Sequence, residues 1–305
     1  EMEGVLDIFS DVMDRKHFRS PRLQFGTLGG GNHFVEVEKD DEGALHVSVH
    51  TGSRNFGHCV GTFFQERAKI LRDILLEKRE RNAEGDRIRE AFSGIVDTSV
   101  PSGLEYLPFV LETGNDRILG DFPFFAGETY LVFSDVARRF AAANRRRILR
   151  ETFESFGAGD VVFDEDGIVE SVHNYVEETE SGAMVRKGAI RARRGERLVI
   201  PLSMRNGMIL GTGLGNEEWN CSAPHGAGRL FGRRAMKEKL ESGELSMEMF
   251  REDMAGIHGT SVAKSTVDES SFAYKPPSAL LGFAPFAETV RVDKILKPVC
   301  NIKAL

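Results

Sequence analysis

The sequence predicts an α+β fold in which mixed β-sheets are flanked by helices, in a single domain spanning residues 1–305. Three observations carry that expectation. Apolar residues recur with a period of two in some stretches and at three- or four-residue spacing in others. The two kinds of stretch follow one another without regular alternation, which argues against a doubly wound parallel sheet. No internal repeat or low-complexity linker interrupts the chain, and its 41% hydrophobic and 29% charged residues suit a globular protein.

The elements follow in order. "LQFGTLGGGNHFVEVEKD" reads as a glycine-rich loop running into a strand, and "DDEG" turns the chain into "ALHVSVHTGSR". In that second strand Leu45, Val47 and Val49 share one face, and His46, Ser48 and His50 the other, so the pair is expected to be a hairpin. From Thr62 to Phe92 the spacing of Phe64, Ala68, Leu71 and Leu75 predicts a helix. "GLEYLPFVLETGNDR" and "FPFFAGETYLVF" lead into a second helix over Ser134 to Phe153, with Ser134 as its amino-terminal cap. "DVVFDEDGIVESVHNYVEE" predicts strand, turn, strand, and "LVIPLSMRNGMILGTGLGN" predicts strand and glycine-rich turns. Two helical stretches follow, "RLFGRRAMKEKLES" and "SMEMFREDMAGI".

Composition narrows the function classes. A net charge of -7 argues against nucleic-acid binding by bulk electrostatics, which leaves local clusters. "RRFAAANRRRILR" at 138–150 suits a solvated face. "RKGAIRARRGER" at 186–197 mixes guanidiniums with glycines and suits an anion-contacting loop better than a helix surface. No apolar run approaches the roughly 18 residues of a membrane span, and residues 1–18 lack a basic-then-apolar leader pattern. Cys59, Cys221 and Cys300 cannot all pair, so the expected compartment is the cytoplasm, with no membrane partner.

Four of the eight histidines stand at the ends of apolar or β-rich stretches, beside glycine, asparagine, serine or arginine. They are His33 in "GGGNHF", His50 in "VHTGSR", His173 in "SVHNY" and His225 in "PHGAGR". Their separation fits no local metal motif, although imidazole suits zinc, iron or manganese in mixed sites. "GTLGGGN" lacks the lysine of a P-loop and is either a flexible turn or a phosphate-contacting loop. Small neighbours around His225 admit a bulky ligand, and Arg229 four residues on favours an anion. From the residues alone, His225 is a metal ligand, a general base or a nucleophile.

"GTLGGGNHFVEV", "HTGSR", "VHNY", "RKGAIRA", "CSAPHGAGR", "DESSFAYKP" and "NIKAL" together resemble the RtcB family of GTP-dependent RNA ligases, over nearly the whole chain and in the family's motif order. The resemblance implies an RtcB-like ligase domain. Its activity would join an RNA 3'-phosphate or 2',3'-cyclic phosphate end to a 5'-hydroxyl end, in RNA repair or tRNA splicing. GTP and Mn2+ are the implied cofactors, with two manganese ions where the full ligand set is present; an accessory activator is a possible partner. By the same matching, His225 becomes covalently guanylylated, and His33, His50 and His173 ligate metal. Asn32, His33, Phe34, Val35, Glu36, His173, Asn174, Pro201, Leu202, Ser203, Met204, Met208, His225, Gly226, Ala227, Gly228 and Lys303 would surround the guanosine nucleotide. Arg54, Arg229 and Arg233 would hold RNA phosphates.

The chain departs from the family pattern at three places. The Asp-x-x-Cys-Gly segment that supplies an aspartate and a bridging cysteine has no counterpart ahead of His33. Leu202 stands in "IPLSM" where the family commonly has glycine, and Met208 where the resemblance implies a nucleotide-contacting serine. Two rivals are therefore carried beside the ligase: a metal-dependent phosphohydrolase using the same histidines, and an inactive relative that binds RNA ends or nucleotide.

Overall fold

A hairpin positions two of the four singled-out histidines, His33 just ahead of it and His50 at its end. In the computed structural model, which describes residues 21–75, 127–156, 167–179 and 182–304, strand β1 (Phe34–Lys39) pairs antiparallel with β2 (Leu45–His50). The acidic turn between them is built by Asp40. Its Oδ1 accepts the N–H groups of Glu42 and Ala44 at 3.0 and 2.9 Å, and its Oδ2 meets Lys294 Nζ at 2.6 Å. Gly43 takes the left-handed conformation the turn requires, at φ +91°. The expected hairpin is present, although Leu45 is exposed and only Val47 and Val49 of its face are half-buried.

Two compact units divide the chain. One comprises Glu1–Phe25, Gly52–Asn144 and Glu180–Ala183, the other Gly26–Thr51, Arg145–Thr179 and Met184–Leu305. In the first, helix α1 (Arg54–Leu75) turns Phe56, Val60, Phe63 and Phe64 inward, the i, i+4, i+7, i+8 stripe of an amphipathic helix. They pack on Phe133, Ala137 and Phe140 of helix α2 (Gly127–Ser155), with ring contacts from Phe64 to Tyr130 and Phe133. Ser134 is therefore no cap. The apolar stripe runs on through Tyr130 and Phe133, so the helix starts at least two turns earlier. The basic run 138–150 lies along α2, where Arg138 and Arg139 pair with Asp135, and Arg147 with Glu151, as on a solvated face. The remainder of the expected 62–92 helix beyond Leu75, the "GLEYLPFVLETGNDR" stretch and the "DVVF" strand lie outside the described residues.

The second unit is built on a curled sheet of order β2-β1-β10-β7-β6, with β9 (His258–Gly259) added parallel to β10. Strand β6 (Arg197–Ser203) buries Leu198, Ile200 and Leu202 at the period of two and pairs antiparallel with β7 (Gly207–Gly213). The long strand β10 (Val290–Ile302) then bridges β7 to β1. Beside this sheet stand two small pairs, β3 (Asn174–Thr179) with β4 (Gly182–Lys187), and β5 (Ala189–Arg191) antiparallel to β8 (Ser222–Pro224). Helices α3 (Arg233–Ser242) and α4 (Met247–Asp253) bury Met236 and Phe250 in a cluster with Met204, Leu245 and Val267. Short helices α5 (Pro277–Leu281) and α6 (Ala284–Thr289) complete the unit. This is the α+β class the periodicities predict. Helix α3 begins at Arg233 rather than Arg229, because Arg229 bridges to Tyr274 and the amides of Leu230 and Phe231 bond to Ala273.

Candidate active site

The four singled-out histidines occupy element ends, as strand geometry demands of groups that must leave a sheet. His33 precedes β1, His50 ends β2, His173 precedes β3 and His225 follows β8. All belong to the second unit, and they stand in a row. Ring centroids lie 5.9 Å apart for His33 and His50, 5.5 Å for His50 and His173, and 4.9 Å for His173 and His225. The register explains the first contact: Phe34 is the cross-strand partner of His50 and stacks on its ring at 5.5 Å.

Electrostatics keep the two middle rings of this row neutral. Burial, then the neighbouring imidazoles, pushes His50 down to about 3. Burial lowers His173 too. His50 Nε2 meets the Asn32 amide nitrogen at 3.2 Å, so that ring nitrogen is an acceptor. His225 Nδ1 donates to the Gly188 carbonyl at 2.6 Å, which leaves the lone pair on Nε2. An imidazole held by Nδ1 in this way offers Nε2 as a nucleophile or a ligand, and the glycine that holds it carries no motif signal. Nothing in "RKGAIRA" distinguishes a carbonyl aimed at a ring from any other.

The residues suit a divalent metal in donor type. His173 Nδ1 is buried without a hydrogen-bond partner, and uncharged imidazoles are what a metal ion of the zinc or manganese kind binds. Among the described residues, no group of three or more His, Cys, Asp or Glu converges closely enough to enclose an ion alone.

Around His33 stand buried polar side chains. Lys303 is buried, donates from Nζ to the His33 carbonyl at 3.0 Å and stands 5.9 Å from the Phe34 ring. Glu36 is buried opposite Asn301 of β10, with Oε1 lacking a partner, and burial together with the charge of Glu38 pushes its carboxyl well up. Pro201 supplies its carbonyl to the Ala227 amide at 3.3 Å, and a Cβ on Gly226 would lie 3.2 Å from that oxygen. The side chains of Val35, Leu202, Met204 and Met208 are buried, the last three within apolar clusters, so a ligand passing there meets backbone. Ser203 donates to Asn206 at 2.7 Å within its own turn. Asn174 Oδ1 accepts the Gly188 amide at 3.3 Å, and Gly228 is left-handed at φ +77°.

The arginines divide. Arg229 is spent on the protein: Nε donates to the Phe231 carbonyl at 3.0 Å, Nη1 to Glu269 and the Tyr274 hydroxyl at 3.2 Å each, and Nη2 to the Asp268 carbonyl. Arg233 is 55% exposed, tethered to Glu269 at 3.2 Å, with Nη2 3.5 Å from Asn32 Oδ1. Its fork thus faces the glycine loop. Arg54 heads α1 in the first unit, half-buried at φ +58°. The 186–197 cluster forms no open anion loop. It is strand and turn, and Arg186, Arg191 and Arg193 are taken up by Glu177, with Arg191 also on Glu196.

Fold and site together define a class, an α+β protein with a row of half-buried histidines edged by glycine loops. The comparisons with known proteins make it particular. The profile of the family described as tRNA-splicing ligase RtcB matches residues 2–304, so the chain belongs to the RtcB family. The RNA-splicing ligase RtcB of Escherichia coli K12 is 29% identical over 288 residues, covering 91% of this chain and 60% of that protein. The tRNA-splicing ligases RtcB of Methanopyrus kandleri and Archaeoglobus fulgidus are 30% and 27% identical, covering 79% and 90% of the chain and 26% and 58% of themselves. The chain thus spans at most about 60% of these relatives' length. Among the described residues, no helix is long and apolar enough to cross a membrane.

Proposed function

We propose that this chain carries the nucleotidyl-transfer centre of a GTP-dependent RNA ligase that joins 3'-phosphate or 2',3'-cyclic phosphate ends to 5'-hydroxyl ends. The observation that carries the reading is the His225 Nδ1 bond to Gly188, which presents Nε2 as a bare nucleophile beside uncharged imidazoles. Nε2 attacks the α-phosphorus of GTP, a P–N bond forms, and the bond to the pyrophosphate oxygen breaks. An oxygen of the RNA 3'-phosphate then displaces the imidazole and takes the guanylyl group. The 5'-hydroxyl attacks the 3'-phosphorus, loses its proton and releases GMP. A cyclic end is opened to a 3'-phosphate first.

Each residue's part follows from its surroundings. Lys303, Glu36, Phe34 and Asn32 would surround the guanosine, with the unpartnered Glu36 Oε1 as a polar contact for it. Gly226 lets the backbone after His225 lie close to the Pro201 carbonyl, and Gly228 supplies the left-handed turn that follows. Arg233 meets RNA phosphate, Arg229 holds the wall behind it, and Arg54 belongs to the same role by motif. His33, His50 and His173 would hold Mn2+, whose chemistry is to neutralise phosphate charge during transfer. A single ligase domain over 1–305, a cytoplasmic setting and an accessory activator complete the reading.

The test is covalent labelling. With α-labelled GTP and Mn2+, the wild-type chain should retain an acid-labile, base-stable guanylate, and His225→Ala should retain none. Label on His225→Ala would overturn the assignment. Release of phosphate from RNA without GTP would favour the phosphohydrolase, and absence of label from the wild type the inactive relative.

A further inference from the structure

Two adjacent non-glycine residues, Asn220 and Cys221, adopt left-handed conformations at φ +51° and +46°, immediately before the strand that delivers His225. L-residues resist that region, so the surroundings must hold the turn in place. The side chain that does so is Arg186 of β4. It is buried, its Nη2 donates to the Asn220 carbonyl at 3.2 Å, and its Nε donates to Ser222 Oγ at 3.1 Å. Ser222 in turn donates to the same Asn220 carbonyl at 3.0 Å. The other end of the guanidinium is anchored by the Glu177 carboxylate and lies 3.2 Å from the Tyr175 hydroxyl.

The same strand-to-turn segment sets the nucleophile. Two residues after Arg186, Gly188 at φ +72° takes the His225 Nδ1 proton on its carbonyl at 2.6 Å, and its own amide donates to the His173 carbonyl at 2.8 Å. Strand β8 is held beside it by Ala189 opposite Pro224 and Ile190 opposite Ala223. A shift of the strained turn therefore moves β8, and with it the ring that must stay on the Gly188 carbonyl.

We propose that Arg186 is a positioning residue for the His225 nucleophile, clamping the Asn220–Cys221 turn so that β8 keeps the imidazole bonded to Gly188 in one tautomer. This rests on the guanylylation reading. Arg186 touches no reacting atom on this account. It acts through the turn, the strand and the glycine carbonyl.

The experiment compares wild type, Arg186→Lys and Cys221→Gly/Arg186→Lys. Lysine keeps the charge facing Glu177 but lacks the fork that reaches Asn220 and Ser222 together. The expected result is a fall of about tenfold in the guanylylation rate at saturating GTP, with the half-saturating GTP concentration unchanged, as for a misplaced reacting group. Nitrogen-15 spectra of His225 should show Nδ1 protonated in the wild type and a tautomer mixture in Arg186→Lys. Glycine at 221 removes the strain the clamp opposes, so the double variant should recover both rate and signature. A wild-type rate in Arg186→Lys, or a slow enzyme that keeps a single tautomer, overturns the proposal. Should Arg186→Lys fail to fold, Ser222→Ala leaves the buried ion pair intact and reads the same nitrogen signal, with an unchanged tautomer again overturning it. A wild-type chain that takes no guanylate sinks the functional reading instead, and the tautomer comparison still decides the clamp.

Discussion

Glu38 shows what a single buried group does to this protein. It is fully buried on β1 with Oε1 unpartnered, and although Ser48 donates to its other oxygen, burial pushes its carboxyl up from 4.5 to about 7. The folded state therefore keeps a proton that the unfolded chain gives up above pH 4.5. Stability contributed by this site is fully present below pH 4.5 and is lost as pH rises to about 7. Glu38→Gln keeps an acceptor for Ser48 and needs no proton. Its melting temperature should match wild type near pH 4.5 and exceed it at pH 8, which thermal melts at the two pH values would read. Neither this burial nor that of Glu36 was legible in "FVEVEK", where alternation marks a strand but leaves open which face meets a second strand. The pairing of β1 with both β2 and β10 encloses the glutamates.

At the scale of elements, the β6–β7 hairpin supports β10, which carries Asn301 and leads to Lys303. Its turn closes at Gly207, at φ +73°, where an added Cβ would lie 2.0 Å from the Leu296 carbonyl of β10. Gly207→Ala should thus force β7 and β10 apart and cost at least about 2 kcal/mol, combining left-handed strain with a backbone clash. Urea denaturation would measure it, and an unchanged midpoint would mean the turn has room the structure does not show. "MRNGM" advertised this turn, because asparagine-glycine between apolar runs has few other uses. The start of α2 was misread for the opposite reason. Ser134 has the chemistry of a cap, yet the apolar stripe through Tyr130 and Phe133 extends the helix past it.

For the whole molecule, the net charge does not by itself decide the proposed RNA substrate. The chain is acidic overall, at -7, but most of its arginines near the histidine row are matched by carboxylates, and Arg233 keeps an exposed fork. Arg233→Ala should weaken binding of a 3'-phosphate RNA end and reduce the slope of log affinity against log salt by about 1. Arg229→Ala should instead lower stability, since it leaves the buried Glu269 with only the exposed Arg233 as its cation and Tyr274 with none over its ring. Equal salt slopes for wild type and Arg233→Ala would remove that arginine from the phosphate path. By itself, the sequence determined the local periodicities, the hairpin, the family motifs and the histidine worth testing, because each is written in residues that are neighbours along the chain. Only the tertiary structure decided that the four imidazoles form one row, that Gly188 selects the tautomer of His225 and that Arg229 faces inward. Those relations join residues as far apart as 33 and 225, and they depend on how strands stack and on which buried charges must be matched.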